Sequence, residues 1–155
     1  MAEEWSVPIY SVEAIRAAEN RALAHATEAE LMDVAAHAVA RTCMHVLRDR
    51  HQGAEDSQIV ILVGAGNNGG DALLAGVHLV RAGAHVTAVL CADRVNEHAL
   101  ADFSKAGGHV LHADGGHDIA PAVRTVQEAT MVIDGIVGLG AQPGLRKPAD
   151  TLVAS

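Results

Sequence analysis

Residues 63–71 read Val63-Gly-Ala-Gly-Asn-Asn-Gly-Gly-Asp71 and overlap the end of the aliphatic run Ile59–Val63. A short, continuous aliphatic run bounded by glycine is typical of a parallel strand that is buried on both faces. We expect a glycine-rich turn over Gly64–Gly70 and a helix over Asp71–Ala82, which Gly83 ends. A strand, a glycine turn and a helix in this order predict one unit of an open α/β sheet.

The glycine spacing in this turn fits a phosphate-binding pattern. Gly64, Gly66 and Gly69 match GxGxxG between a strand and a helix, as the dinucleotide pattern requires. Glycines let a pyrophosphate approach the backbone, and the helix offers unpaired N–H groups and the positive end of its dipole. The alternative is a plain connection in which Asp71 only caps the helix. The run Asn67-Asn-Gly-Gly-Asp71 favours ligand binding, because a simple turn needs neither two amides nor a carboxylate.

Strand and helix patterns alternate along the rest of the chain. Aliphatic runs predict strands, and apolar residues at helical spacing predict helices. Two helices come first, one capped by Ser11 and one over Glu28–Arg50. The predicted strands are Ile59–Val63, Val86–Leu90, His109–His112 and Met131–Asp134, and the later helices are Asp71–Ala82, Asn96–Ala106, Pro121–Glu128 and Ala149–Ala154. We predict a single domain over residues 1–155, an α/β fold with a three-layer α/β/α Rossmann-like parallel sheet, strand order 3-2-1-4 and two N-terminal helices.

The composition limits what the protein binds. Its 155 residues include 11 basic and 19 acidic side chains, for a net charge of −8, and ten histidines. The negative charge disfavours nucleic acid and anionic membranes, so a phosphate-bearing ligand has to be held locally by N–H groups or a cation. The histidines are scattered. The densest group, His109, His112 and His117, fits no zinc-ligand spacing, so we expect surface or capping roles.

The cysteines and the apolar runs indicate the cellular setting. Cys43 and Cys91 are the only cysteines and form no CxxC pair, so no disulfide framework is expected. The sequence has no charged-then-apolar leader and no apolar run near the roughly 18 residues that span a bilayer. These features predict a cytoplasmic protein with no membrane partner.

A second glycine-rich segment, Asp134-Gly-Ile-Val-Gly-Leu-Gly140, follows the fourth predicted strand. In strand order 3-2-1-4 the first and fourth strands are neighbours, and ligands bind where their carboxyl ends diverge. We therefore expect Asn68 and Asp134 to face one pocket, where an amide oxygen and a carboxylate suit a hard cation. The alternative is that Asp134 only accepts hydrogen bonds from local backbone amides. The apolar fourth strand, at an open edge, needs cover from a partner subunit or from further chain.

Together these segments resemble one protein family. Val63–Asp71 is similar to the GxGNNGGDG signature of the YjeF N-terminal domain, the NAD(P)H-hydrate epimerases. Asp134–Gly140 resembles the family's DALFGTG segment, and Leu31–Ala36 resembles its LMExAG segment. Leu145–Pro148 resembles the turn that follows, and the resemblance runs from about Tyr10 to Pro148.

The resemblance implies an activity and a set of site residues. Family members interconvert the R and S epimers of hydrated NADH or NADPH and supply a repair dehydratase, commonly as homodimers. By position, Asn68 and Asp134 would ligate a potassium ion. The residues implied to contact the hydrated dinucleotide are Asn67, Asn68, Gly69, Gly70, Asp71, Gly138, Leu139, Gly140, Ala141, Gln142, Pro143 and Gly144.

The chain departs from the family pattern at three places. Ala72 stands where the family signature has glycine, which adds a methyl group near the loop. Gly135, Val137 and Leu139 change the DALFGTG segment, whereas Asp134 keeps its aspartate. The family continues with a strand that carries a D-x-P-S-G motif, and we expect this domain to lack that strand.

The reaction needs a group that accepts and donates a proton, because a bond at the hydrated ring carbon breaks and reforms on the opposite face. Asp71 is the candidate within this chain, and the alternatives are a helix cap or a ribose contact. Two other functions stay open at this point. One is a dinucleotide-dependent redox enzyme in which Asp93 contacts the ribose. The other is a non-catalytic nucleotide-binding or dimerisation scaffold of the same fold.

Overall fold

The computed structural model describes residues 8–50, 53–114, 116–139, 141 and 143–155. They fall into two compact units, one up to Leu31 and the other over Met32–Ser155. The single domain over residues 1–155 stays a prediction.

Two helices come first, and strands then alternate with helices. The elements are α1 (Val12–Leu23), α2 (Glu28–Asp49), β1 (Gln58–Val63), α3 (Asn67–Arg81), β2 (His85–Leu90), α4 (Glu97–Lys105), β3 (His109–His112), α5 (Ala120–Gln127), β4 (Met131–Gly135) and α6 (Ala149–Val153). Every strand and helix predicted from the sequence is present, and all but one of the boundaries agree to within one residue. None of the described helices is long and apolar enough to cross a membrane.

Side-chain caps explain where the first two helices begin. Ser11 accepts a hydrogen bond from the Ala14 N–H at 3.2 Å, which confirms the predicted cap. Thr27 and Glu30 form a capping box before α2. The Thr27 N–H donates to Glu30 Oε2 at 2.7 Å, and the Glu30 N–H donates to Thr27 Oγ1 at 3.2 Å.

The four strands form one parallel sheet in the order β3-β2-β1-β4, as predicted. Strand β1 lies in the middle, with Ile61 paired to Ala88 of β2 and to Ile133 of β4. The carboxyl ends of β1 and β4 are therefore adjacent, and the segments that follow them meet at one edge of the sheet.

Each face of the sheet is covered by its own helices, which confirms the three-layer fold. Residues that alternate along β1 point to opposite faces. Ile61 belongs to the core under α2, α3 and α4, together with Leu47, Leu73 and Phe103. Leu62 belongs to the core under α5 and α6, together with Ala122, Ala149 and Leu152.

The predicted start of the third helix is wrong. Helix α3 begins at Asn67 rather than at Asp71, so four residues expected in a turn form the first helical turn. The turn prediction rested on the preference of glycine for irregular backbone. Tertiary packing prevails here: a Cβ atom on Gly69 would lie 2.3 Å from the carbonyl oxygen of Gly64. Glycine at residue 69 therefore allows the helix to start against the end of β1.

Candidate functional site

The segments after β1 and β4 are packed backbone to backbone. The Gly64 N–H donates to the carbonyl oxygen of Gly135 at 3.0 Å. A Cβ atom on Gly64 would lie 1.8 Å from the carbonyl oxygen of Ile136, which no side chain can tolerate. Glycine at residue 64 is thus required for the two segments to meet at the carboxyl edge of the sheet.

The first turn of α3 offers N–H groups without a side-chain cap. Gly66 is the N-cap residue, with φ 95° and ψ −164°, a region of backbone that is almost restricted to glycine. No side chain at the cap accepts a hydrogen bond from the turn. Because the first N–H groups of a helix have no acceptor within the helix, this turn suits an anion such as a phosphate.

Asn68 joins this turn to the segment after β4. Its side-chain amide nitrogen donates to the carbonyl oxygen of Val137 at 3.0 Å. A Cβ atom on Gly138 would lie 3.3 Å from the Asn68 Cβ atom, so the two residues are in close contact. The predicted convergence of the two glycine-rich segments is therefore present in the fold.

Asp134 reaches the same segment from the other face of the sheet. It pairs with Leu62, so its side chain leaves β4 on the α5–α6 face, whereas α3 covers the opposite face. The Ile136 N–H donates to Asp134 Oδ1 at 2.9 Å, which is the backbone contact that the alternative interpretation expected. Asn68 and Asp134 thus approach residues 136–138 from different sides, and a cation shared between them stays a prediction.

A cleft of about 460 Å³ opens next to these segments. This volume is within the range of small-molecule sites. Its described lining residues are Gly64, Ala65, Cys91, Ala92, Ile136, Val137, Gly138, Leu139, Ala141, Gly144, Leu145, Arg146, Lys147 and Ala149. Both connections at the switch point of the sheet therefore contribute to one concave surface.

The cleft contains part of the predicted contact set. Four of the predicted contacts line it, namely Gly138, Leu139, Ala141 and Gly144. Gly140 and Gln142 lie outside the described residues. Pro143 and the five residues Asn67–Asp71 are described but are not among the lining residues of this cleft. Asn67–Asp71 form the start of α3, beside the cleft rather than in its wall.

The cleft also brings two cations to the site that the sequence reasoning did not select. Arg146 and Lys147 both line it and are exposed. In a chain with a net charge of −8, such a pair creates a local region that attracts anions. The signal was available in the sequence, because two adjacent cations follow the second glycine-rich segment after residues 141–145.

Asp71 lies in the body of α3 rather than at its cap. The N-cap residue is Gly66, so the alternative in which Asp71 caps the helix is wrong. The side chain is half-buried, and its Oδ1 atom is shielded from solvent. The catalytic role of Asp71 stays a prediction.

Cys91 forms part of the cleft floor as a protonated thiol. Burial raises the pKa of Cys91 to about 11, and the nearby carboxylates of Asp114 and Asp134 add to the increase. The thiol is therefore neutral at physiological pH and is a poor nucleophile. This excludes Cys91 as an activated nucleophile at the site.

Two departures from the family signature compensate each other. Ala72 is buried, and its methyl group lies 2.7 Å from the position that a Cβ atom on Gly135 would occupy. The signature that this chain resembles has the smaller residue at 72 and the larger one at 135. In this chain the methyl group that fills the space between β4 and α3 belongs to the helix residue and not to the strand residue, so the helix and the strand stay in contact.

Comparisons with known proteins identify the family to which the sequence is similar. The chain matches the family model described as YjeF-related protein N-terminus over residues 28–155. It is 39% identical over 148 residues to an NAD(P)H-hydrate epimerase of Clavibacter michiganensis. It is 40% identical over 148 residues to a bifunctional NAD(P)H-hydrate repair enzyme of Mycobacterium leprae. These alignments cover 94% of this chain but 60% and 29% of the two relatives, so the chain spans part of their length.

A solved structure shows the same fold. The crystal structure of the yeast protein ynu0 matches with a TM-score of 0.78. The match covers 96% of this chain and 64% of the yeast chain, at 19% sequence identity. At this identity the likeness establishes the architecture alone.

Proposed function

Since the chain belongs to the family of YjeF-related protein N-termini, we propose that it interconverts the R and S epimers of hydrated NADH and NADPH. The relatives named above carry that activity or a wider NAD(P)H-hydrate repair function in their names. The observation that carries the proposal is the contact between the first turn of α3 and residues 136–138, beside a cleft with two cations.

The phosphate end of the ligand would bind at the start of α3. The backbone N–H groups of Asn68 and Gly69, in the first turn of α3, suit the pyrophosphate, and the close backbone packing at Gly64 holds this turn in position. Arg146 and Lys147 would add positive charge on the cleft side. An acidic protein can hold a dinucleotide in this way, because the attraction is local rather than spread over the surface.

The hydrated ring would lie in the cleft, against the small and apolar lining residues 136–139. These residues exclude water from one face of the ring, and a dry site strengthens the electrostatic contacts inside it. Asp71 is our candidate for the proton acceptor, because its half-buried carboxyl group is the acid nearest in sequence to the phosphate turn. As a base it would take the proton from the hydroxyl group on the hydrated ring carbon while the bond from that carbon to the ring nitrogen breaks, which leaves a carbonyl group and a nitrogen that takes up the proton. The reverse steps close the ring on the other face of the carbonyl group and restore the hydroxyl group.

A potassium ion is part of this proposal. Asn68 and Asp134 reach residues 136–138 from different sides, so the ion would lie between them, with an amide oxygen on one side and a carboxylate on the other. The backbone carbonyl groups of residues 136–138 would add oxygens of the kind that replace the hydration shell of potassium. Oxygen donors of this kind fit a hard cation, not a soft one. When bound, the ion would contribute positive charge that offsets the charge of the pyrophosphate and of Asp134.

The proposal is tested by following one pure epimer. The chain is mixed with S-hydrated NADPH in buffer with 100 mM KCl, and the epimers are separated by reversed-phase chromatography over time. We expect the R epimer to form much faster than in buffer alone, and Asp71→Asn to lower kcat by about 100-fold, the size of a typical acid–base contribution. A matched exposed control, Asp118→Asn, keeps full turnover.

The outcomes separate the roles of the site. If Asp71→Asn lowers the thermal stability but leaves kcat unchanged, Asp71 is structural and is not the proton acceptor. If the folded chain binds the hydrate without converting it, the scaffold alternative is correct. If replacing potassium by tetramethylammonium at the same ionic strength changes neither binding nor melting temperature, the potassium site is wrong.

The cellular partners are proposed on the same basis. A dehydratase would consume the product, since relatives combine several repair functions in one bifunctional protein. We propose a homodimer, because Val132 on the edge strand β4 is 44% exposed and an apolar edge strand is usually covered. Light scattering after size exclusion tests the dimer.

A cytoplasmic location fits the two buried, free cysteines, Cys43 and Cys91.

A further inference from the structure

A cluster of three metal-ligand side chains lies on the surface of α2 and α3, away from the cleft. Asp33 and His37 are one helical turn apart on α2, and His78 is on α3. One Asp33 oxygen is 3.9 Å from His37 Nε2 and the other is 3.9 Å from His78 Nε2. The two imidazole rings are in contact at a tilt of 34°, with their centroids 3.8 Å apart. Among the described residues this is the one group whose ligand atoms lie together, all within 4.8 Å of one another.

The donor set suits a divalent transition metal. Imidazole nitrogens bind zinc in preference to magnesium or calcium, and zinc also accepts a carboxylate oxygen as a ligand. Zinc bound at 2.0–2.1 Å in a tetrahedron requires ligand atoms about 3.3 Å apart. The two 3.9 Å separations exceed this by about 0.6 Å, and the widest separation in the group, at most 4.8 Å, exceeds it by about 1.5 Å. Rotation of the exposed side chains can close these differences. Asp33 and His37 are both more than half exposed, so their side chains have room to rotate.

The surroundings leave one coordination position open. A cleft of about 360 Å³ adjoins the cluster and includes both Asp33 and His78 among its lining residues. Three protein ligands and one water are the usual arrangement of an accessible zinc site. The positive charge of Arg81 in the same cleft disfavours the binding of a cation, whereas the negative charges of Asp33 and Asp102 favour it. Lys105 is paired with Asp102 at 3.3 Å, which offsets its charge.

We propose that Asp33, His37 and His78 form a divalent transition-metal site that links α2 to α3. Zinc is the bound ion, and a water molecule is its fourth ligand. The site is separate from the proposed dinucleotide site and does not rest on the epimerase activity. Because its ligands come from two helices, a bound metal stabilises the packing of α2 against α3. Binding to the folded state alone raises the free energy of unfolding, by an amount that depends on free zinc and the dissociation constant.

The test measures zinc directly. The chain, without an affinity tag and after treatment with a chelator, is dialysed against buffered zinc in 100 mM KCl, and bound metal is measured by mass spectrometry. We expect one zinc ion per chain with a micromolar or lower dissociation constant. We expect His37→Gln and Asp33→Asn each to weaken binding at least 10-fold, the usual size of the loss when a ligand or its partner is removed.

A matched control comes from the same helix. His45 and Asp49 on α2 also form an i,i+4 pair, with His45 Nε2 3.1 Å from Asp49 Oδ2, but they are not part of the three-residue group. His45→Gln should therefore keep one zinc ion and the wild-type affinity. If His45→Gln lowers zinc binding as much as His37→Gln does, the metal binds histidines without a specific site and the proposal is wrong.

Two further measurements give independent readouts. Cobalt substituted for zinc should give the intense visible absorption of a tetrahedral site, and His78→Gln should abolish it. Zinc should raise the melting temperature of the wild-type chain but not that of His37→Gln, whose exposed position lets it fold normally. If the wild-type chain binds less than 0.1 zinc ion per chain at 10 µM free zinc, the three side chains make only carboxylate–imidazole contacts and a ring contact, and the proposal fails.

Discussion

The two connections at the carboxyl edge of the sheet differ in length and in packing. The connection from β1 to α3 is three residues long, and its first residue, Gly64, is in contact with backbone atoms of the other connection. The connection from β4 to α6 covers residues 136–148 and is largely exposed, with Val137 50% and Leu139 45% accessible to solvent. The β1–α3 side of the proposed site is thus held by backbone packing, and the β4–α6 side is exposed to solvent.

This difference in packing indicates that the two connections have different roles in the proposed site. The short connection holds N–H groups that a phosphate needs in a fixed arrangement, so its residues should affect stability and binding together. The long connection carries the cations Arg146 and Lys147 and the cleft surface, so its residues should affect binding alone. Substitutions can separate these two effects, because folding and ligand affinity are measured independently.

The largest effect is expected at Gly64. In Gly64→Ala the new Cβ atom would lie 1.8 Å from the Ile136 carbonyl oxygen, so the two connections must separate. We expect a loss of about 3 kcal/mol or more in the free energy of unfolding, measured by urea titration. Gly144→Ala in the long connection is the control. Gly144 has φ +86° and no atom near its Cβ position, so backbone strain alone costs about 1–2 kcal/mol. Equal losses in the two variants would contradict the comparison.

The second prediction concerns the contact between Ala72 and Gly135. Gly135→Ala places two methyl groups 2.7 Å apart and should cost about 1–3 kcal/mol. Adding Ala72→Gly should recover part of the loss, since the double variant has the residue sizes of the family signature. The Leu62 carbonyl oxygen, 3.0 Å from the same Cβ position, limits the recovery. A double-mutant cycle measures the coupling, and additive effects would show that the two positions do not compensate.

The third prediction concerns the exposed connection from β4 to α6. Arg146→Ala combined with Lys147→Ala should weaken binding of the hydrated dinucleotide about 10-fold, the loss of roughly one charge-assisted phosphate contact. The melting temperature should hardly change, because both side chains are exposed. Arg48→Ala combined with Arg124→Ala removes two exposed cations outside the cleft lining and serves as the control for net charge. Isothermal titration calorimetry measures the affinities, and equal losses in the two variants would indicate a long-range charge effect.

The smallest effect is a pH dependence at Cys91, on the cleft floor between the two connections. Its ordinary pKa is 9.0, and burial raises it to about 11 in the folded chain. Between these values the unfolded chain releases the proton first, so stability that is present below pH 9 is lost as the pH rises to about 11. Cys43→Ala, which leaves one thiol, should show this decline in urea titrations. Adding Cys91→Ala should reduce the decline, and an unchanged slope would contradict the assignment.

Sequence patterns predicted the sheet more fully than the site. Aliphatic runs such as Ile59–Val63 depend on local burial, and the crossover rule then restricts the strand order, so both were predictable. The start of α3 was not, because glycine favours a turn locally, whereas the close approach of Gly69 to Gly64 depends on tertiary packing. The face of the sheet on which Asp134 lies follows from strand register, and the side from which Asn68 approaches follows from the packing of α3, neither of which the motifs alone give.

The three-residue cluster on α2 and α3 illustrates the same limit. Asp33 and His37 have the i,i+4 spacing of a helical pair, which is visible in the sequence. His78 lies on another helix, and only the packing of α2 and α3 on the same face of the sheet brings it within reach. Motif spacing detects ligands that are neighbours along the chain, so the sequence shows the Asp33–His37 pair but not the third member of the cluster.

The most direct test of the account is a crystal structure of the chain with hydrated NADPH and potassium. We predict that pyrophosphate oxygens accept hydrogen bonds from the N–H groups of the first turn of α3, and that the hydrated ring lies in the cleft beside residues 136–139. Electron density for the dinucleotide elsewhere on the surface, with the start of α3 in contact only with solvent, would contradict it.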